Sequence, residues 1–367
     1  MEKTKLAMDT PSASPTQWQR VKQDIFDDRL LYGYVIVTSA LLYLASQWFV
    51  EQSQLKYDLT TYLRALFTIC YITFLAWSSG YYLYLAYHKT PHPLLVYLKT
   101  ITGFFHPIAK PISFVLLVLS LNLTFSCYTY LKSIIPDINP FQYDLLFYQL
   151  DQWLHFGNDP WRLTHQWFSS IYSSFVINFL YNLWFLLMWG SVLFFIVRRD
   201  MAILRNQYLI TFMASWLVIG GVTATLMSSA GPCYAHLVDV NQTQYLPLMD
   251  RLTTQSLALE KLGFPPLWAL DVQDLLWLKY LGRESGIGTG ISAMPSMHVS
   301  IAVLMALGAY RLNKRLGYLM WGYMVAIQIG SVHLAWHYAI DGYLSTFLTL
   351  LLWKLNGLIV RKLHPEH

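Results

Sequence analysis

The sequence predicts an all-α protein, a polytopic membrane helix bundle of about eight transmembrane helices. Three observations carry that prediction. Of 367 residues, 55% are apolar, 16% aromatic and only 12% charged, against about 25% charged in soluble domains. Runs free of Asp, Glu, Lys and Arg recur along the chain, most of them as long as the roughly 20 residues a bilayer requires. Three cysteines, Cys70, Cys127 and Cys233, are too few and too far apart for a disulfide framework or a zinc pattern. A net charge of +5 spread over so apolar a chain makes no nucleic-acid face.

Taken in order, residues 1–29 are polar and hold no apolar run of the kind a cleavable signal needs. They read as a cytoplasmic N-terminal segment, with the first helix as an uncleaved anchor. Charge-free stretches place helices at 30–50, 65–88, 111–131, 163–197, 206–238, 285–310 and 316–340. An eighth, 342–360, is interrupted by Lys354, near enough to its end to snorkel. Residues 30–109 thus carry two helices, 110–360 the remaining six, and 361–367 form a cytoplasmic tail. Segments 132–170 and 230–293 are too long for turns. Within them, 143–153, 246–262 and 268–281 alternate apolar and polar positions as interfacial helices do. They read as packing against bundle and headgroups, or as a lip through which a lipid enters.

Orientation follows from Lys and Arg in alternate loops. One side holds 17 of the 25, including Lys3, Lys5, Lys99, Arg199, Arg205 and Arg311; the other holds eight, including Lys56, Lys132, Arg251, Lys279 and Arg283. The richer side is expected to be cytoplasmic, with both termini there.

Most of the eleven histidines have quiet roles at helix ends, in interfacial segments or in the tail. Three differ. His298 opens the sixth helix, and His333 and His337 close the seventh, with Asp341 just beyond. The sixth helix runs inward and the seventh returns, so these residues share one membrane face. Ionisable groups at membrane depth are functional candidates by default. Two chemistries fit. On a continuous helix His333, His337 and Asp341 form one stripe, which suits zinc. Alternatively His337 attacks phosphorus, Asp341 fixes its tautomer, and protonated His298 serves the departing oxygen. Ser296 and the first amides of the sixth helix would then cradle phosphate oxygens, with glycines such as Gly290 allowing close approach. The second chemistry uses Pro295 and Ser296; the first leaves them unexplained.

The run Pro295, Ser296, Met297, His298, followed further along by His337, Tyr338, Ala339, Ile340 and Asp341, resembles the type-2 phosphatidic acid phosphatase superfamily. More narrowly it looks like the branch containing inositol phosphorylceramide synthases and their bacterial relatives. Tyr143, Asp144, Asp151, Phe156, Gly157 and the run from Gly231 to Tyr234 add to the likeness, which spans roughly residues 110–355. The resemblance implies a six-helix catalytic core, no metal or other cofactor, His337 as nucleophile, His298 as acid and Asp341 as the partner of His337. The chain also departs from the phosphatase branch. Ala224 stands where a lysine is expected, Gly231 and Pro232 where Arg-Pro is, Met297 where glycine is, and Ser331 where an arginine is. Lys279, Arg283 and His333 are the candidate substitutes.

A phosphate monoester carries nearly two charges at neutral pH and a diester one. A site short of arginines suits the diester. The expected activity is therefore transfer of a phospho-headgroup from a phospholipid donor to a lipid or alcohol acceptor. The alternatives are a lipid phosphate phosphatase with water as acceptor, a lipid transporter, and a metal-dependent membrane hydrolase. Short tails and no retention signal point to a bacterial plasma membrane, with the site on its periplasmic face.

Overall fold

A computed structural model describes residues 16–47 and 58–363. Lys3, Lys5, Lys56, His364 and His367, most of the polar N-terminal segment, the end of the first predicted helix and most of the tail lie outside the described residues. Helix α1 (Gln17–Asp27) starts at a capping box, in which Thr16 and Gln19 satisfy each other's backbone N–H groups. It is followed by α2 (Arg29–Gln47), α3 (Leu63–Tyr87), the shorter α4 (Pro93–Phe105) and the 30-residue α5 (Ala109–Ile138). Two short helices, α6 (Asp144–Leu154) and α7 (Pro160–Trp167), precede α8 (Ile171–Val197). Helix α9 (Arg199–Leu226) opens on a 3-10 turn and contains a π-helical stretch, Ser215–Thr223. Then come α10 (Leu246–Lys261), α11 (Trp268–Leu281), α12 (Met297–Leu312), α13 (Lys314–His333) and α14 (Ala339–Leu363).

Among the described residues six helices, α2, α3, α5, α8, α9 and α14, are long and apolar enough to cross a membrane. They mark an integral membrane protein. The other two predicted spans fall outside that set. Helix α12 has only 16 residues, because 285–296 is irregular rather than helical. Helix α13 has 20 but carries Lys314, Arg315, Gln328 and His333. The predicted loop between the second and third spans contains α4. Helices form close to where the alternating pattern puts them, as α6, α10 and α11.

The centre of the bundle is α12, whose Val299, Ile301, Val303 and Leu304 are fully buried against α8, α9, α13 and α14. Dispersion rewards such close packing, and the buried hydroxyl of Ser300 on the same helix is bonded to Thr349 Oγ1 (2.8 Å). Helices α3 and α4 pair at the periphery, where Ser78 and Tyr97 hydrogen-bond. They expose Phe67, Tyr71, Leu83 and Leu95. Left in water, such surface would cost about 25 cal/mol per Å²; in lipid it costs nothing. At the opposite end from the irregular segment, Asp28 is buried between Arg199 (2.6 Å) and Arg205 (2.5 Å). This pairing ties the junction of α1 and α2 to the start of α9.

Candidate active site

Three non-helical segments meet beside α12: residues 227–234, 285–296 and 334–338. Their backbones are cross-linked by hydrogen bonds. Ala293 N donates to Ser229 O (2.9 Å) and Cys233 N to Ala335 O (3.0 Å), and Ser296 N donates to Asp341 O in the first turn of α14 (3.3 Å). Gly231, at φ +97°, sits at the crossing: a Cβ there would lie 2.9 Å from Ala293 Cβ and 3.0 Å from Trp336 O. Only glycine combines that dihedral with that approach.

Two carboxylates on α6 hold the weave from below. Asp144 accepts from Ala230 N (2.9 Å), Gly231 N (2.8 Å) and Tyr338 Oη (2.9 Å). Asp151 accepts from Ala339 N (2.7 Å) and Ile340 N (2.9 Å). These are first-turn amides of α14, which have no partner inside the helix and attract negative charge. Burial raises the pKa of both acids, that of Asp151 to about 6, and the donated N–H groups oppose the rise.

The chain turns sharply between α13 and α14. Trp336 N and His337 N both donate to Ser331 O at 3.0 Å, and Ala335 adopts φ +61°. A left-handed alanine costs roughly 1–2 kcal/mol, which the surrounding hydrogen bonds offset. The helix therefore breaks after His333, and the stripe of His333, His337 and Asp341 that would suit zinc does not form. Among the described residues no three His, Cys, Asp or Glu side chains converge in a way that could hold a metal ion.

What the turn does build is a pair. His337 Nδ1 lies 3.1 Å from Asp341 Oδ2, which also accepts from Tyr338 N (3.1 Å). Asp341 is fully buried. With Nδ1–H donating to the carboxylate, Nε2 carries the lone pair. The ring of His298, at the first turn of α12, lies 6.2 Å from that of His337, centroid to centroid. Tyr181 stacks on His298 (4.6 Å), and Trp184 Nε1 donates to the His298 carbonyl (2.9 Å), so α8 fixes its position. Both imidazoles line one cavity of about 560 Å³, within the range of small-ligand sites. Phe125, Trp189, Leu276 and Trp216 form part of its wall; the last comes from the π-helical stretch of α9, a distortion often found at functional sites.

The remaining sequence-predicted residues are placed differently. Gly290 lines the cavity at φ +90°. Ser296 does not: fully buried, it is the N-cap of α12, its Oγ accepting from Val299 N. His333 points away, its Nε2 2.8 Å from Ser174 Oγ and its ring stacked 3.7 Å from that of His165. Arg283 forks onto Asp137 at 2.6 and 2.7 Å. Lys279 lies beside Gly286, outside the lining. Ser331 uses its carbonyl to hold the turn and its hydroxyl to bond Ile327 O (2.9 Å).

Sequence reasoning missed Lys132, which the charge count assigns to an outer loop. Helix α5 continues through it to Ile138, and its side chain lines the cavity with His298 and His337. Phe125, Tyr128, Thr129 and Lys132 all line that wall. They recur at the spacing of one helical face, the signal that marks them.

Fold and site together define a membrane-embedded helical protein with a buried histidine–aspartate pair and a second histidine lining one cavity of about 560 Å³. A family model of the PAP2 superfamily matches residues 145–355, more than half of the chain, and the protein belongs to that superfamily. Its members are generally phosphatases and phosphotransferases acting on lipid phosphates, which supports an enzyme. No curated protein and no solved structure gives a match.

Proposed function

We propose that the protein transfers a phospho-headgroup from a phosphodiester lipid to an alcohol through a phosphohistidine, as inositol phosphorylceramide synthase-like enzymes would. One observation carries the reading: His337, held by Asp341, and His298 face the same largely apolar cavity. His337 Nε2 attacks phosphorus and the bond to the diacylglycerol oxygen breaks, that oxygen taking its proton from His298. Asp341 stabilises the cationic ring. The acceptor hydroxyl then gives its proton to His298 and attacks phosphorus, and the bond to Nε2 breaks. Atoms and charge balance over the two steps, and neither step calls on a metal.

The preference for a diester over a monoester is supported by charge. Among the residues lining the cavity Lys132 is the one lysine or arginine, a match for one negative charge and not for two. Purified protein given glycerophospholipid labelled in its headgroup should convert it only when an alcohol-bearing acceptor lipid is added. Release of free phosphate from phosphatidate, indifferent to acceptor, would assign the activity to a lipid phosphate phosphatase instead.

In this reading the bundle has eight crossings, α12 and α13 included, with its polar-charged ends in the cytoplasm and the cavity at the outer leaflet of a bacterial plasma membrane. The Lys and Arg asymmetry supports that orientation. Terminal epitope tags should be protected from protease in intact cells.

A further inference from the structure

We infer that Lys132 is the phosphate ligand of this site, its ammonium holding the non-bridging oxygens while His337 attacks. This rests on the phosphoryl-transfer reading above and names a residue outside the family match, since Lys132 precedes residue 145.

Four observations converge on it. A lysine within a membrane-length helix is expensive and must be justified by a partner or a role. No carboxylate pairs with Lys132: the ion pairs among the described residues use Arg162, Arg198, Arg199, Arg205, Arg283 and His337. Its side chain is half-buried and faces the cavity. It shares that cavity with both His298 and His337.

The irregular segment is also shaped around this residue. A Cβ on Gly290 would lie 2.8 Å from the Lys132 carbonyl carbon and oxygen and 2.9 Å from its Cγ. No real Cβ tolerates such contacts, and φ +90° makes any other residue strained as well. Next to the crossing, Ser133 Oγ and Thr289 Oγ1 lie 3.2 Å apart. Tyr62 Oη accepts from Gly288 N (3.2 Å) and bonds Thr129 Oγ1 (2.6 Å). The segment that ends in Ser296 and His298 is thus fastened directly over the lysine. Gly290 crowds the root of the side chain, and the residue lines the cavity. A singly charged phosphodiester there would neutralise a cation that has no other counter-charge among the described residues. The bound state then carries no net charge in a poorly polarisable pocket.

Orthovanadate, whose monoanion mimics a phosphoryl group in transfer, gives a test that needs no turnover. Its binding to purified full-length protein in dodecyl maltoside is followed by vanadium-51 NMR for wild type, His337→Ala, Lys132→Met and Lys132→Arg. Wild type should bind and His337→Ala should not. Lys132→Met should bind about 10- to 100-fold more weakly, the worth of a charge-assisted hydrogen bond, and Lys132→Arg should stay within about threefold of wild type. Loss of binding in His337→Ala together with wild-type affinity in Lys132→Met overturns the role of Lys132 and leaves the phosphoryl-transfer site standing. Equal binding in wild type and His337→Ala sinks the site itself. If Lys132→Met does not elute as a folded species, Lys132→Gln is measured against the same thresholds.

Discussion

His337 Nδ1 and Asp341 Oδ2 meet at 3.1 Å although no continuous helix joins them to His333. The contact exists because a left-handed turn at Ala335 swings His337 out of α13 and back over the first turn of α14. Tautomer control predicts the cost of disturbing it. Asp341→Asn should lower kcat for headgroup transfer by about 10³- to 10⁴-fold, with KM little changed and the elution profile intact. His337→Ala should abolish turnover. Retention of a tenth of the wild-type rate in either variant would remove the pair from the chemistry.

In the proposed reaction His298, across the cavity from His337, hands a proton to the leaving oxygen. His298→Ala should slow transfer from a natural phospholipid by about 10²- to 10⁴-fold. An aryl phosphodiester, whose leaving group needs little protonation, should lose much less. Equal losses on both substrates would assign His298 to positioning.

His333 lies with Ser174 and His165, away from the cavity. His333→Ala should leave kcat within about threefold of wild type. It should lower stability by about 1–3 kcal/mol through the lost Ser174 hydrogen bond and the lost ring stack, although Ser174 Oγ still donates to Gln255 Oε1 (2.8 Å). A thermal shift with preserved turnover checks both halves; collapse of turnover at unchanged stability would make His333 part of the site.

Burial lowers the pKa of His165 to about 4 from its ordinary 6.5. The unfolded chain takes up that proton near pH 6.5 and the folded protein only near 4. The stability tied to His165 is therefore present above about 6.5 and lost as pH falls towards 4. Asp151, raised by burial to about 6, works in the opposite sense over much of that window, so the total curve is a poor guide. The stability difference between wild type and His165→Gln isolates the histidine, and should shrink on acidification from pH 7 to 4.5.

Asp28 joins Arg199 and Arg205 at a buried junction. Asp28→Ala strands the buried Arg205 guanidinium, while Arg199 keeps Asp24 (3.1 Å), and should cost about 3–5 kcal/mol, read as a loss of thermal stability in detergent. Headgroup transfer per folded molecule should be unaffected, since this junction lies apart from the cavity.

Long apolar runs made the helices legible, because lipid tolerates few charges and the chain announces each interruption. The helices α6, α10 and α11 were legible for the same reason in reverse, through alternation. Two features were hidden. The turn at Ala335 carries no glycine or proline to betray it, so the spacing of His333, His337 and Asp341 looks helical. Lys132 looked like a loop charge because the charge-free run stops at Leu131, whereas α5 runs on to Ile138. The histidines and the aspartate could be read because their chemistry is rare in lipid. Arg283 has the chemistry a phosphate ligand would need, yet only coordinates reveal that Asp137 already holds it.

The crossing at Gly231 places three loops within one carbon atom's width of each other, and two acids of α6 pin them from a separate helix. Reactive groups are thereby registered against peptide groups rather than against helix axes. Tilt, bilayer thickness and the identity of outward-facing side chains can then drift without moving the reaction coordinate. In the proposed reaction, an insertion in any of those three loops would displace the reacting groups directly, whereas outward-facing positions could vary.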